Sequence, residues 1–252
     1  MFPILFQIGS LQVFSSGVFT ALGFLFGVIT FVRLAHREKC HLELISDHFI
    51  LLLFVSLIGA RLAYVFAFWE GYSWNFMKIF YFWENAYFLW GGILFFMIAF
   101  IWLCSRTREN VHRWIDIVIP SLAVGLLFHN LAQLLDGVAY GAPTDRFWGI
   151  IFETTTVPYA IPVHPTQIYL IVLLLILLFV LLPLLRKKSA EVPGSKGWIG
   201  LMLLALSYFG VEFFRGDELV MFYSIRWTQV LELATLLLGI VMYFRRQSNL
   251  RS

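Results

Sequence analysis

The sequence predicts an all-α integral membrane protein with seven transmembrane helices, its N-terminus outside and its C-terminus cytoplasmic. Three observations predict it. The 252 residues are 60% hydrophobic and only 13% charged, with a mean hydropathy of +0.83, more apolar than a water-soluble domain of this size tolerates. Seven apolar stretches reach roughly 20 residues, the length that crosses about 30 Å of hydrocarbon. The basic residues alternate in density from one connection to the next, which sets the orientation.

Span one covers about 11–34. Met1–Ser10 contain no Lys or Arg and no small-residue cleavage site follows, so the span reads as a retained helix and not a removed signal peptide. Span two, about 48–69, contains IGARLAYV, which puts Arg61 and Tyr64 three residues apart on one helical face. An ionised side chain is costly in hydrocarbon, so Arg61 is expected to face the bundle interior; snorkelling to an interface is the alternative.

Span three, about 86–104, opens with FWENAYFLWGG. Trp83 and Trp90 suit a membrane boundary, Glu84 stands beside them, and Gly91 and Gly92 permit close approach by another backbone. Span four, about 115–139, carries GLLFHNLAQLLDGVAYG, in which His129, Asn130, Gln133, Asp136 and Tyr140 form a polar stripe at spacings of three and four. Such a stripe must face protein or water. Interhelical hydrogen bonding accounts for Asn130 and Gln133 without any chemistry.

The longest connection, about 140–164, contains GAPTDR and ETTTVPYAIPVHP, with four prolines between them, which favours ordered non-helical structure. It is either a binding loop or a passive connector. Span five, about 165–186, begins in VHPTQIYL, where Pro165 suits the first turn of a helix and His164, Thr166, Gln167 and Tyr169 fall at headgroup level. Span six, about 198–214, ends in VEFFRGDE, with Glu212 and Arg215 one turn apart as a local ion pair or a charged ligand site. Span seven, about 228–244, starts with TQVLEL.

Arg33, Arg37, Lys39, Arg106, Arg108, Arg113, Arg186, Lys187, Lys188, Lys196, Arg245, Arg246 and Arg251 fall on one side, thirteen of the 18 basic residues. That side is cytoplasmic by the positive-inside rule. Splitting the charge among four short segments argues against nucleic-acid binding. Cys40 and Cys104 fall on the same reducing side, so neither a disulfide nor a metal framework is expected. The chain reads as one membrane domain, 1–252, with no cofactor.

In order along the chain, GVFTALGF, GARLAYV, WENAYFLWGG, GLLFHNLAQLLDGVAYG, VHPTQIYL, VEFFRGDE and TQVLEL resemble the prolipoprotein diacylglyceryl transferase family of the bacterial inner membrane. That family moves a diacylglyceryl group from phosphatidylglycerol to the lipobox cysteine of a prolipoprotein. HPTQIY is the most specific stretch, since the family shows H-P-[ST]-Q-[LI]-Y followed by Glu. The resemblance implies seven spans with a periplasmic N-terminus, a multi-pass location in the inner membrane, and phospholipid and a prolipoprotein signal peptide as partners.

The departures from the family pattern fall on chemistry-bearing positions. Trp90 stands where the family has the histidine of F-H-G-G. In the long span-four signature, Asn130 and Ala142 replace arginines, Gln133 and Asp136 replace asparagines, and Val138 replaces a glutamate. Ser16 replaces a tyrosine, Leu170 the Glu after HPTQIY, and Tyr208 an arginine. Matching residues are Arg61, Tyr64, Gly91, Gly92, Gly137, Gly141, His164, Pro165, Gln167, Tyr169, Glu212, Arg215 and Gln229.

The family reaction needs a thiol deprotonated and a phosphate leaving group stabilised, for which Arg is suited. The candidate bases are His129, His164 and Asp136. Candidates for lipid and phosphate are Arg61, Tyr64, Asn130, Gln133, Gln167, Tyr169, Glu212 and Arg215, with Arg146 in the loop. Two readings follow, a diverged transferase and an inactive paralogue that binds phospholipid or lipoprotein precursor. A transporter or channel is a third, unsupported by broken-helix symmetry or a charged pore ring.

Overall fold

A computed structural model describes residues 4–8, 11–40, 42–72, 76–84, 86–152, 160–186, 193–217, 221–222 and 225–248. Long helices occupy all seven expected stretches. Two antiparallel β-strands, β1 (Ile4–Ile8) and β2 (Leu11–Phe14), precede α1 (Ser15–Arg37). The first helix therefore starts later than the hydropathy profile suggests, because Leu11–Phe14 pair with β1 in the register Phe6↔Val13 and Ile8↔Leu11.

Next come α2 (Glu43–Ala67), a single turn α3 (Trp69–Tyr72), a 3₁₀ helix (Phe76–Phe80), α4 (Leu89–Arg106) and α5 (Val111–Asp136). Helices α6 (Thr166–Arg186) and α7 (Ser195–Glu212), the two-residue strands β3 (Met221–Phe222) and β4 (Ile225–Arg226), and α8 (Trp227–Ser248) complete the chain. The all-α expectation thus describes the long elements, and two small hairpins are added to it. Six helices are long and apolar enough to cross a membrane: α1, α2, α4, α5, α6 and α8. Helix α7 is as long as α4, but Lys196 and Glu212 at its two ends dilute its hydropathy.

Helix α1 packs along α5, α2 along α4, and α7 along α8, while α5 also carries α6 and α7. The main core lies among α4, α5, α6 and α7, with Trp114, Trp198, Phe100 and Met97 fully buried. The paired glycines of span three do what their lack of a side chain allows. A Cβ on Gly91 would lie 2.4 Å from the Ala63 Cβ and 2.8 Å from the Gly59 carbonyl oxygen, so α2 and α4 meet backbone to backbone.

Each end of the bundle is locked by residues distant in sequence. Gly194 is the N-cap of α7 at φ 91° and has no capping side chain of its own. Asp116 of α5 supplies the cap: its carboxylate accepts from the Gly194 and Gly197 amides, both at 2.6 Å. Beside it, the Trp198 indole donates to His112 Nδ1 at 2.9 Å.

At the other end, Gly137 stops α5 in the left-handed conformation, φ 70°. The following backbone runs between two other segments. The Gly141 amide donates to the His164 carbonyl, the His164 amide to Ala142, the Ala142 amide to Phe214 and the Gly216 amide to Tyr140. A Cβ on Gly141 would lie 2.4 Å from the His164 carbonyl, so glycine is required there. Tyr140, Phe152 and Val163 form a small second core beneath this connection. The long connection is thus ordered and non-helical where described; Glu153–Tyr159, like Lys187, Lys188 and Arg251, lie outside the described residues.

Candidate active site

The polar residues of HPTQIY are spent on the junction between α5 and α6. The Thr166 hydroxyl donates to the Ala139 carbonyl, and Gln167 Nε2 donates to the Val138 carbonyl at 2.6 Å. These bonds satisfy carbonyls left exposed where α5 ends, which a chain surrounded by lipid cannot leave to water. His164 Nδ1 lies 2.8 Å from the Tyr169 hydroxyl, whose oxygen accepts from the Trp148 indole at 2.7 Å. The Tyr169 hydroxyl thus stands between the His164 ring and the Trp148 indole. Phe214 packs edge-on against both rings.

Next to this junction lies a cluster of four charges. Arg215 pairs with Asp217 through two guanidinium nitrogens and with Glu212 at 3.4 Å. Arg226 reaches Asp217 at 3.0 Å and the Arg215 carbonyl at 2.7 Å. Its Nη1 also lies 3.5 Å from Glu212 Oε2, an ion pair without hydrogen-bond alignment. Burial alone would raise the Asp217 carboxyl, but the hydrogen bonds and charges of Arg215 and Arg226 hold it below the usual carboxylate range. Gln229 accepts from the Arg226 amide at 3.0 Å and fixes β4 to the start of α8.

Arg61 is 1% exposed. Its guanidinium donates to the carbonyls of Lys78, Ile79 and Ala86 and to the Glu84 carboxylate. Tyr72 and Tyr87 lie beside it at 5.5 and 5.9 Å. Four of its five N–H groups are therefore committed to holding the 78–86 segment on α2. Tyr64, one turn on, stacks with Phe68 and tilts against Phe88.

The polar stripe of α5 divides. Asn130 is fully buried, and its Nδ2 donates to the Leu126 carbonyl and to the Tyr208 hydroxyl of α7, both at 2.7 Å. The Tyr208 ring in turn meets Trp90 of α4 edge-on, 5.1 Å between centroids. His129 and Gln133 are half-buried and no side-chain hydrogen bond engages them among the described residues. Asp136 keeps its buried Oδ1 unpartnered. Among the described residues no three His, Cys, Asp or Glu side chains are grouped to hold a metal ion.

Residues 3–245 match the family described as prolipoprotein diacylglyceryl transferase. The chain belongs to that family. Among curated relatives, the phosphatidylglycerol–prolipoprotein diacylglyceryl transferase of Finegoldia magna is 26% identical, over 98% of this chain and 96% of its own length. The protein of that name from Clostridium tetani is 28% identical over 98% and 100%, and that from Parasynechococcus marenigrum 31% identical over 86% and 81%.

Membership gives the interior contacts a meaning. Trp90, Asn130 and Tyr208 stand at three positions where the resemblance implied other residues, a histidine and two arginines. They come from three different helices, and Tyr208 meets both of the others. Together they form a neutral contact of one hydrogen bond and one edge-on ring pair.

Reasoning from the sequence missed Asp217, Arg226 and Glu232. Asp217 lies inside VEFFRGDE, two residues after Arg215, and its pairing with Arg226 needs the turn through β3 and β4. Glu232 was visible: it is a carboxylate inside the apolar run of α8 and 0% exposed, the same kind of signal that singled out Arg61.

Proposed function

We propose that this protein transfers the diacylglyceryl group of phosphatidylglycerol to the lipobox cysteine of a prolipoprotein. The observation that carries the reading is the family match across residues 3–245. In this reaction the thiol gives its proton to a base, a carbon–sulfur bond forms at the glyceryl carbon, the carbon–oxygen bond to phosphate breaks, and glycerol phosphate leaves. The protein sits in a bacterial plasma membrane as one seven-span domain, α7 included, with its N-terminus periplasmic.

Asp136 and His129 are the bases of this proposal, since His164 is engaged by Tyr169 at Nδ1 and Asp136 retains an unpartnered oxygen. Arg215 and Arg226 stabilise the leaving phosphate. Both are held by Asp217 and Glu212, which fixes the guanidinium planes while preserving N–H groups for a ligand. Arg61, Gln167 and Tyr169 support the site by holding its walls.

The test is transfer from phosphatidylglycerol vesicles to a lipobox peptide by the purified protein, read as a mass increase. Asp136→Asn and His129→Ala together are expected to lower the rate by about 10²-fold or more, and Arg215→Lys by a similar factor. Failure of transfer at high enzyme concentration with several phospholipid donors overturns the proposal. Lipid binding without turnover would identify a binding paralogue.

A further inference from the structure

The connection between α5 and α6 has a packed apolar side and an open apolar side. Val163 and Phe152 are buried with Tyr140 in the small second core. Phe147, by contrast, is 95% exposed, and Trp148, Ile151 and Ile161 are exposed as well. The backbone that carries them is fixed. The Thr144 amide donates to the Pro162 carbonyl, the Gly149 amide to Arg146, and Ile150 and Val163 exchange both of their backbone bonds at 3.0 Å. The Trp148 ring meets Phe147 edge-on, 4.7 Å between centroids. An open apolar set on a rigid backbone marks an interaction surface.

What covers it follows from the neighbour that Trp148 holds. Helix α6 buries Leu170, Leu174, Leu177 and Leu181 in the main core. Its other face, with Val172, Ile176 and Phe179, is exposed, and in a membrane span that face meets lipid. Tyr169 stands on the same stripe, three residues before Val172 and seven before Ile176. The Trp148 indole donates to the Tyr169 hydroxyl at 2.7 Å. Tyr169 is the fourth residue of α6, about 5 Å along the helix at 1.5 Å per residue. The open apolar set is therefore continuous with the lipid-facing stripe at the level where α6 begins. Asp145 and Arg146, both exposed, precede Phe147 and supply the charged rim that suits headgroups. A peptide helix or strand needs a groove or pockets, and a ring as exposed as Phe147 lines none.

We infer that the α5–α6 connection is an interfacial anchor, with Phe147 and Trp148 inserted at the boundary between headgroups and acyl chains of the leaflet where α6 begins. The partner is the lipid surface itself. Trp148 serves it twice, its ring facing lipid and its N–H holding Tyr169 beside His164.

A nitroxide label on Phe147→Cys tests it in the full-length protein, reconstituted in vesicles of phosphatidylethanolamine and phosphatidylglycerol. Asp145→Cys, two residues away, is the reference. Cys40→Ser removes the half-buried thiol, and Cys104, 0% exposed, stays in place. Phe147 is too exposed for its exchange to remove a core contact. Collisions of the label are read with oxygen, which concentrates in hydrocarbon, and with a water-soluble nickel chelate. The expected result is that oxygen exceeds the chelate at 147 and that the order reverses at 145. Three results overturn the inference: the chelate exceeding oxygen at 147 as it does at 145, low collision with both reagents, which marks a protein contact, and protection at 147 that arises only when a lipobox peptide is added, which marks a peptide surface.

Discussion

Asn130 of α5 donates a 2.7 Å hydrogen bond to the hydroxyl of Tyr208 on α7, and the Tyr208 ring meets Trp90 of α4 edge-on. The bond closes a contact among three helices. Tyr208→Phe removes the hydroxyl and keeps the ring contact. We expect a loss of about 1 kcal/mol, seen as a fall of about 2–4 °C in the melting temperature. An unchanged melting temperature would mean that the bond contributes nothing net.

Asp116 caps a helix that is not its own. Asp116→Ala leaves the Gly194 and Gly197 amides without their acceptor, and charge-assisted cap bonds are worth about 1–2 kcal/mol. Faster amide exchange confined to the first turn of α7 is the expected signature. Uniform exchange across α7 would contradict it.

Arg61→Lys keeps the charge and loses the planar fork that reaches three carbonyls and Glu84 at once. The 78–86 segment should come away from α2 and become open to limited proteolysis at Lys78, at a cost of about 2 kcal/mol. Protection equal to that of the unaltered protein would show that α3 and the aromatic contacts hold the segment without Arg61.

Asp217 predicts a pH dependence. Its carboxyl is held below the ordinary value in the folded protein, so its contribution to stability is fully present above the unfolded value, about pH 4. It is lost as pH falls through the lower folded value. The stability gap between the unaltered protein and Asp217→Asn should be constant from pH 8 to about 5 and shrink below about 4. A gap that widens on acidification would reverse the sign and exclude this account.

Much of the fold was legible in the sequence, and less of the site. The stripe expected on α5 is not one face: Tyr140 lies beyond the helix end at Gly137, in the small second core, and of the four on the helix only Asn130 is buried and bonded to a side chain across the bundle. Arg61 and Glu212 were found because an ionised group in an apolar run stands out, and the same signal at Glu232 went unused. The pairing of Asp217 with Arg226 was illegible because it depends on a turn outside any periodic element.

What the sequence alone determined is the set of long apolar helices, the family resemblance and the close approach that Gly91 and Gly92 allow. Tertiary structure decided which helix faces meet. In α6, Leu174 is 1% exposed and Phe179 86%, although both lie in one unbroken apolar run. Lipid and protein core are equally apolar surroundings, so hydropathy cannot separate the two faces. Only the packing of α4, α5 and α7 could bring Trp90, Asn130 and Tyr208 to one place.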